Sequence, residues 1–373
     1  MHADFVIVGA GIAGAVAGAH LAAHGRVLLL EMAGQPGVHS TGRSAALYSP
    51  YFGNHVVRAL TRASRRFFVD PPAGFADHPL LTPRGVLTLC AAGAEPRFDA
   101  ALADARAANL PAREIAPDEV AACCPVIRPG AYQRAMLKPD AWDIDVDALH
   151  SGLLRVVRAA GGQILRGSRA EVVRRVGHGW QVATCAGSYH TPVVVNAAGA
   201  WADEVAAAAG AAPAGCRPLR RTACVVDLPP SAHAADWPLI NDVPETFYAK
   251  PESGGLLISP VDATEDPPGD ARPDDLDVAR GIAAVEAMTT MAIRRVRRAW
   301  AGHRTTTADD TPVVGPDPLL PGFAWLAGLG GYGVQAAPAL GRLLSTLLTG
   351  GRLDDDLTVL ADAVAPARLH RRP

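Results

Sequence analysis

A glycine-rich turn near the start of the chain constrains its fold more than any other feature. The apolar run 5–8 is typical of a buried parallel strand, and residues 12–24 have the small side chains of a helix packed tightly on a sheet. Between them lies the G-x-G-x-x-G sequence Gly9-Ala-Gly11-Ile-Ala-Gly14. The apolar run 27–30 predicts a second strand, and Glu31 closes it. The chain therefore begins with a βαβ unit of the kind that binds dinucleotides.

Every glycine of this turn has a physical role in such a unit. Gly9 permits the tight turn, Gly11 lets the backbone approach a pyrophosphate, and Gly14 lets the helix pack closely on the strand. The helix N-terminus directs free N–H groups at the phosphates, which places Ile12 and Ala13 next to the ligand. The acid that closes the second strand can accept hydrogen bonds from a ribose diol. Because strand, glycines, helix and acid are all in register, the sequence predicts a dinucleotide-binding domain.

Length, charge and cysteine content limit the classes of function. The 373 residues are 49% hydrophobic and 19% charged, which is a globular composition with room for two domains. A formal net charge of −2 gives no basic field for nucleic acid, so we expect a small-molecule partner. The six cysteines have no C-x-x-C or zinc-ligand spacing, so we expect reduced thiols and no metal site.

The sequence shows no signal for secretion or for spanning a membrane. Its N-terminus lacks a basic region before the apolar stretch, so we expect no signal peptide. No apolar run reaches the roughly 18 residues that suggest a transmembrane helix. We therefore expect a cytoplasmic protein, with peripheral attachment to the inner membrane as the open alternative.

The remaining patterns predict two interleaved domains of an α/β protein that is α+β overall. A helix over 146–160 is followed by short strands over 163–190, which suggest a small antiparallel meander. A buried strand over 193–195 and a final helix near 336–348 complete the nucleotide-binding part. We predict that this Rossmann-type domain is built from three stretches, 1–83, 140–215 and 300–373. We predict an inserted mixed-sheet, substrate-binding domain from two others, 84–139 and 216–299.

Three further segments resemble flavin-contacting segments of the glycine/D-amino acid oxidase (DAO) family. They are His39-Ser-Thr-Gly-Arg-Ser-Ala-Ala46, Asp310-Thr-Pro-Val-Val-Gly315 and Gly330-Gly-Tyr-Gly-Val-Gln335. Within the family the chain is most similar to the bacterial D-arginine dehydrogenases, through the first of these segments and through residues 71–75, 195–201 and 247–248. The resemblance covers essentially the whole chain, and it implies that the Rossmann-type domain is an FAD-binding domain.

The resemblance also implies which residues surround the FAD. Small residues of the first segment can lie against the flavin ring, and the helix after the last segment can direct its N-terminal dipole at it. Beyond the first turn and Glu31, the expected contacts are Gly42, Arg43, Ser44, Ala45, Ala198, Gly199, Gly330, Gly331, Tyr332, Gly333, Val334 and Gln335. Relatives with covalent flavin use a cysteine in the segment that here reads Trp300-Ala-Gly-His-Arg304. This chain has none there, so we expect non-covalent FAD.

The same resemblance implies the residues that hold the substrate. Oxidation of an amino acid by hydride transfer needs the Cα–H bond directed at flavin N5 and the carboxylate held by fixed cations. Arg221 and Arg304 match the family's carboxylate-binding arginines, and Tyr248 matches a tyrosine that faces the same carboxylate. Gly331 matches a residue whose carbonyl accepts a hydrogen bond from the amine. The product is an imino acid, which hydrolyses to a 2-keto acid and ammonia.

Three departures from the D-arginine dehydrogenase pattern concern the pocket for the substrate side chain. Leu47 stands where those enzymes have a histidine, and Phe52 replaces a tyrosine of their mobile lid. Val86 stands where a glutamate attracts cationic side chains. We assign His303 and Gln335 to the same pocket. An apolar pocket wall predicts a D-amino acid substrate that is neutral or hydrophobic rather than basic.

Two other functions stay open from the sequence alone. The same pair of arginines would serve the oxidation of a secondary amine or cyclic imino acid, such as sarcosine or a proline derivative. A flavin-binding subunit of a larger redox complex is the third hypothesis, although the joint presence of Arg221, Arg304 and Tyr248 favours catalysis. These patterns determine neither the electron acceptor, which is oxygen, a quinone or another compound, nor the oligomeric state.

Overall fold

The computed structural model describes residues 1–229 and 234–369. Its strands, in chain order, are β1 (Phe5–Val8), β2 (Val27–Leu30), β3 (Leu47–Tyr48), β4 (Leu81–Pro83), β5 (Val86–Cys90), β6 (Arg113–Ile115), β7 (Arg134–Lys138), β8 (Trp142–Ile144), β9 (Gln163–Leu165), β10 (Val172–Val176), β11 (Gly179–Thr184), β12 (Gly187–Thr191), β13 (Val193–Asn196), β14 (Arg217–Val226), β15 (Leu239–Asp242), β16 (Tyr248–Glu252), β17 (Gly255–Ser259), β18 (Thr264–Glu265), β19 (Val296–Thr306), β20 (Val313–Pro316) and β21 (Phe323–Ala327). Its α-helices are α1 (Ile12–Leu21), α2 (His55–Val69), α3 (Glu95–Ala107), α4 (Pro117–Cys123), α5 (Val146–Ala159), α6 (Ala202–Ala209), α7 (Asp275–Met288), α8 (Gly333–Thr349) and α9 (Asp355–Val364), and short 3₁₀ helices lie at Gly199–Trp201 and Pro366–Leu369.

A six-stranded sheet in the order β20-β21-β13-β1-β2-β9 forms the dinucleotide-binding part. β1 pairs in parallel with β2 and with β13, so Ile7 lies between Leu29 and Val195. All residues of β1 and β2 are buried, as their continuous apolar runs predict. The mixed α/β fold with a Rossmann-type βαβ unit is therefore confirmed.

Helices and a small sheet cover the two faces of this sheet. Helices α1, α5 and α8 pack on one face around Ile7 and Leu29, and the antiparallel meander of β10, β11 and β12 packs on the other with α6. The meander occupies residues 172–191 of the stretch predicted for it, but β9, predicted as part of it, pairs in parallel with β2 at the edge of the six-stranded sheet. Helix α1 ends at Leu21, three residues before the end of the predicted helix, because residues 22–24 form a turn ahead of Gly25.

A nine-stranded sheet carries the residues predicted to hold the substrate. Its order is β18-β14-β17-β16-β15-β5-β7-β6, with β19 paired to β14. β15 and β5 are parallel and the other pairs are antiparallel, so the sheet is mixed, as predicted. The domain boundary predicted at residue 300 lies inside β19, which joins the nine-stranded sheet along its whole length.

A small sheet of β3, β8 and β4 lies beside the two large ones. Between β3 and α2 runs the segment 49–54, which we call the lid segment. Asn54 fixes its end, since its Oδ1 caps α2 by accepting from Val57 N at 3.0 Å and its Nδ2 donates to Thr311 Oγ1 at 2.8 Å. Within the described ranges, no helix has both the length and the apolar character needed to cross a membrane.

Candidate active site

A cavity of about 370 Å³ is lined by residues of both large sheets. The six-stranded sheet contributes the glycine-rich turn, Glu31 and the segment 197–201. The nine-stranded sheet contributes Arg221, Tyr248 and the end of β19. The cavity therefore joins the predicted dinucleotide site to the predicted substrate site.

The glycine-rich turn is packed so closely that side chains would not fit at two of its positions. Gly9 has φ +101°, and a Cβ there would overlap the carbonyl oxygen of Ala197. A Cβ on Gly14 would overlap the carbonyl oxygen of Gly9. Gly11 has ordinary extended backbone, with φ −70°, and lines the cavity together with Ala13. Gly9 and Gly14 thus shape the turn, whereas Gly11 leaves room for a ligand.

Two side chains fix the turn from outside. The buried Glu31 carboxylate accepts hydrogen bonds from Ala10 N at 3.0 Å and Ala33 N at 2.9 Å, and it lines the cavity. Thr41 Oγ1 accepts from Ile12 N at 2.9 Å, so the Ile12 N–H at the start of α1 is already satisfied by the protein. The sequence analysis did not single out Thr41, because its contact lies 29 residues away along the chain.

The segment 39–46 lies beside the turn, with its small residues facing the cavity. Ser44 and Ala45 line the cavity, and a Cβ on Gly42 would lie 2.7 Å from the Gly37 carbonyl oxygen. The Arg43 guanidinium is engaged by the protein itself: it donates to the carbonyls of Val38, Ala271 and Ala301 and pairs with Asp270. Arg43 thus ties this segment to the nine-stranded sheet.

His39 is a further cavity residue that the sequence analysis left unassigned. Its ring lies 4.9 Å from the Trp201 ring, centroid to centroid, and its buried Nδ1 has no partner among the described residues. Burial, together with the positive charge of Arg43, lowers the pKa of His39, so the ring is neutral near pH 7. A neutral, unsatisfied ring nitrogen is suited to a hydrogen bond with a bound ligand.

The segment that leads into the first turn of α8 brings backbone close to the cavity. Gly330, Gly331, Gly333 and Val334 line it, as does Ala198 with Gly199 on the six-stranded sheet. Gln335 is buried in the first turn of α8, where its Oε1 accepts from Ser49 N at 3.0 Å and its Nε2 lacks a partner among the described residues. Gln335, predicted to contact the ligand, is not among the residues that line the cavity, so the donors that α8 offers there are those of its N-terminus.

Arg221 and Arg304 lie side by side on one face of the nine-stranded sheet. In the pairing of β14 with β19, Arg221 is opposite Gly302 and Leu219 is opposite Arg304, so both arginines share a face. Arg221 Nε donates to the Asp262 carbonyl at 2.6 Å, and its buried Nη1 has no partner among the described residues. Burial and the positive charge of Arg304 lower the pKa of Arg221 to about 10. Two guanidinium groups with unused donors make a site for an anion.

Gly331 and Tyr332 close this arginine pair from the α8 side. A Cβ on Gly331 would lie 2.7 Å from both Cδ and Nε of Arg304, so only glycine leaves that guanidinium in place. Gly331 also has φ +88°, which favours glycine. Burial raises the pKa of Tyr332, and the charges of Arg304 and Arg221 act in the opposite direction.

The three predicted pocket residues form one apolar cluster. Val86, Leu239 and Ala141 are buried, and Leu47, Phe52 and Tyr248 pack against them. Tyr248 also lines the cavity, as Arg221 and Arg304 do, so the apolar cluster adjoins the arginine pair. Asp242, an acid near Tyr248, is used locally: its carboxylate accepts from Thr246 N at 2.7 Å and from Thr246 Oγ1 at 2.5 Å.

Other polar residues of this region have partners in the protein. Arg220 pairs with Asp277 at 2.8 Å, and Lys250 pairs with Asp143 at 2.9 Å. The His303 Nε2 lies 2.8 Å from Asp266 Oδ2. His303, which is predicted to belong to the substrate pocket, does line the cavity, but its ring is already held by the Asp266 carboxylate.

The residues present fit FAD. The cavity offers a turn with room at Gly11, a buried carboxylate at Glu31 and an unsatisfied donor at Arg221. No cysteine is among the described residues that line it, although six free cysteines occur in the described parts of the chain.

Comparisons with known proteins agree with this assignment. Residues 4–347 match the family model described as FAD dependent oxidoreductase, DAO. The chain is 29% identical over 177 residues to FAD-dependent oxidoreductase domain-containing protein 1 of Bos taurus, and the aligned region covers 43% of this chain and 36% of that protein. It is 26% identical over 266 residues to mitochondrial dimethylglycine dehydrogenase of Homo sapiens, and this aligned region covers 66% of this chain and 30% of that protein. The chain thus spans about a third of the length of these curated relatives.

The fold is also that of a solved flavoenzyme. Glycine oxidase from Geobacillus kaustophilus superposes with a TM-score of 0.84 at 22% sequence identity, covering 96% of this chain and 98% of that one. Because the family match extends over most of the chain, the protein belongs to the DAO family of FAD-dependent oxidoreductases.

Proposed function

We propose that this enzyme oxidises the CH–NH₂ group of a D-amino acid whose side chain is not cationic. The observation that carries the proposal is the pair Arg221 and Arg304, which lie on one sheet face at the cavity, where Arg221 Nη1 has no partner within the described residues. A free α-carboxylate matches such a pair in charge and in its planar geometry. The D configuration and the likeness to D-arginine dehydrogenases rest on the sequence resemblance.

Each residue of the site has a task in this reaction. Arg221 and Arg304 hold the carboxylate, and Tyr248 donates its hydroxyl to the same group. The Gly331 carbonyl accepts a hydrogen bond from the amine, which orients the Cα–H bond. Gly9, Gly11 and Glu31 would hold the pyrophosphate and ribose of FAD, while the start of α8 would face the flavin and Gln335 would support it from behind through its bond to Ser49 N. When bound, FAD supplies the hydride acceptor.

The apolar cluster determines which side chains this site accepts. A guanidinium or ammonium placed against Leu47, Phe52 and Val86 would lose water without gaining a carboxylate, at a cost of several kcal/mol. A side chain with methylene groups gains about 25 cal/mol for each Å² removed from water instead. No acid belongs to the cluster among the described residues: the Asp242 carboxylate accepts two hydrogen bonds from Thr246, and the charge of Glu245 acts on Lys138.

The experiment that tests the proposed function is anaerobic mixing of the holoenzyme with D-amino acids while the flavin absorbance is followed. We expect D-Leu, D-Met or D-Phe to reduce the flavin with a higher kcat/KM than D-Arg or D-Lys. The matching L-amino acids serve as controls. A clear preference for D-Arg would contradict the apolar pocket, and reduction by L-amino acids alone would contradict the D configuration.

A second candidate is the oxidation of a secondary or tertiary amine that carries a carboxylate. The sequence similarity to dimethylglycine dehydrogenase of Homo sapiens, over 66% of this chain, favours it. The same arginine pair would hold such a substrate, and the apolar cluster would surround its N-substituents. Sarcosine, dimethylglycine and proline belong in the same anaerobic panel, and flavin reduction by one of these alone would favour this candidate.

We expect FAD to be bound without a covalent link. No cysteine lines the cavity, and the His303 ring that lies near it is held by Asp266. Heating or acid precipitation should therefore release the yellow colour into the supernatant. Flavin fluorescence that stays with the denatured chain in an electrophoresis gel would contradict this prediction, and peptide mapping would then show whether His303 or His39 carries it.

A further inference from the structure

We propose that Lys138 binds an anionic end of the substrate side chain, so that the preferred substrates are amino acids with a second carboxylate. This inference rests on the proposed function and narrows its substrate class. It assigns to Lys138 a role in specificity that neither the glycine-rich turn nor the arginine pair supplies.

The nine-stranded sheet contains two buried lysines with opposite surroundings. Lys250 is 4% exposed and its ammonium lies between Asp143 at 2.9 Å and Glu252 at 3.2 Å. Lys138 is 7% exposed, yet within residues 1–229 and 234–369 its ammonium has no ion pair and no hydrogen bond. The rings of Tyr51 at 5.9 Å and Phe52 at 5.4 Å lie next to it, and the charge of Glu245 acts on it without an ion pair. A buried cation that no carboxylate pairs with is costly, which points to an anionic partner.

Strand pairing places Lys138 next to the apolar cluster. Val86 on β5 is opposite Leu239 on β15 and opposite Lys138 on β7. Residues that oppose each other across paired strands project from the same face of the sheet, so the Lys138 side chain lies beside Val86. Phe52 belongs to the same cluster and also lies over the Lys138 ammonium. The cation therefore stands at the edge of the predicted side-chain pocket.

Contacts of the lid segment connect this edge to the arginine pair. A Cβ on Gly53 would lie 3.5 Å from Tyr332 Cε2, so the lid segment rests on Tyr332. Tyr332 follows Gly331, which lies against Arg304. The neighbouring Phe52 covers Lys138. A substrate with its α-carboxylate at the arginines would thus have its side chain directed along the cluster toward Lys138.

In this arrangement the apolar cluster lies between the arginine pair and the Lys138 ammonium. Methylene groups would pack on Val86, Leu239 and Phe52, and a terminal carboxylate would reach the ammonium. Burial lowers the pKa of Lys138 to about 8, and the negative charge of Glu245 acts in the opposite direction. An anionic ligand would stabilise the charged form further. The same cation would repel D-Arg and D-Lys, in addition to the apolar wall.

The test compares acidic substrates with their neutral amides in the parent holoenzyme and in Lys138→Met. For the parent, the better of D-Asp and D-Glu should have a kcat/KM at least about tenfold above its amide, D-Asn or D-Gln. In Lys138→Met this ratio should fall to about one or below, while the kcat/KM for D-Leu changes less than about threefold. Lys138→Arg keeps the charge and should keep the acidic preference.

A second variant neutralises Lys138 from the neighbouring strand. Val86→Glu places a carboxylate opposite Lys138, where the two can pair. This variant should lose the preference for acidic substrates even though Lys138 is intact. Parent-like discrimination in Val86→Glu, together with a Lys138→Met variant that behaves like the parent, would overturn the inference.

A binding measurement separates this inference from the proposed function. Glutarate and butyrate, which carry no amine, are titrated into the holoenzyme while the visible flavin spectrum is followed. Glutarate should bind at least about tenfold tighter than butyrate, and Lys138→Met should remove the difference. Equal binding of the two acids, with flavin reduction by D-Leu, would overturn the role of Lys138 and leave the proposed function standing. Tighter glutarate binding that depends on Lys138, with no reduction by any D-amino acid, would support the site and remove the proposed function.

Discussion

Arg221→Ala and Arg304→Ala are each expected to lower kcat/KM for the best amino acid substrate by about 30- to 5,000-fold. The range corresponds to the loss of about 2–5 kcal/mol when one partner of a buried, charge-assisted contact is removed. The two residues project from one face of β14 and β19, and in the part of the chain that the structure describes the buried Nη1 of Arg221 has no partner. Removing either guanidinium takes away hydrogen-bond donors that the substrate carboxylate needs.

The effect should be confined to the substrate. Among the described residues, neither arginine forms a hydrogen bond with the glycine-rich turn or with Glu31, so both variants should purify with FAD at the parent level. Arg217→Ala is the matched control, since Arg217 lies on the same strand as Arg221 but is exposed, and its ion pair within residues 1–229 and 234–369 is with Glu265 at 3.3 Å. It should keep parent kinetics. Parent-like kcat/KM in both Arg221→Ala and Arg304→Ala would show that the carboxylate is held elsewhere.

The parts of the site that the sequence predicts are those encoded locally. The βαβ unit was readable because strand, turn and helix follow one another within 30 residues, and β1 and β2 occupy the predicted positions. Gly9 and Gly14 are required by backbone contacts inside that unit. The resemblance of short motifs then located Arg221, Arg304 and Tyr248, which do line one cavity.

The parts that the sequence did not predict depend on pairing between distant strands. Lys138 lies beside Val86 only because β7 pairs with β5, and Leu239 joins them across 153 positions of sequence through β15. Thr41 reaches Ile12 through the fold, and Arg43 finds its carbonyl partners on β19 and near residue 271. Neither periodicity nor a motif specifies such contacts, since each arises from the register of a sheet. The sequence therefore predicts the apolar residues Leu47, Phe52 and Val86 of the cluster but not the Lys138 cation beside them.

Gly11→Val is expected to abolish retention of FAD without unfolding the chain. Gly11 precedes α1 with φ −70°, an ordinary conformation for any residue, so valine adds bulk with no backbone strain. Its Cβ would lie 3.2 Å from Thr41 Oγ1, and the rest of the side chain would enter the cavity where the backbone must approach a pyrophosphate. Because a pyrophosphate at the start of α1 has little freedom to move, the flavin content after purification should fall below about a tenth of that of the parent.

Gly34→Val is the matched control for this substitution. Gly34 lies in the same part of the chain, is exposed, and has nothing within 4 Å of its Cβ position. This variant should retain FAD like the parent.

The readouts are the ratio of absorbance at 450 and 280 nm, far-UV circular dichroism, and the FAD dissociation constant after the flavin has been removed and added back. Gly11→Ala should give an intermediate loss, because a single methyl group enters the same space. A Gly11→Val protein that is folded and fully yellow would place the pyrophosphate away from this turn, and the assignment of Gly9, Gly11, Ala13 and Glu31 to FAD would then be wrong.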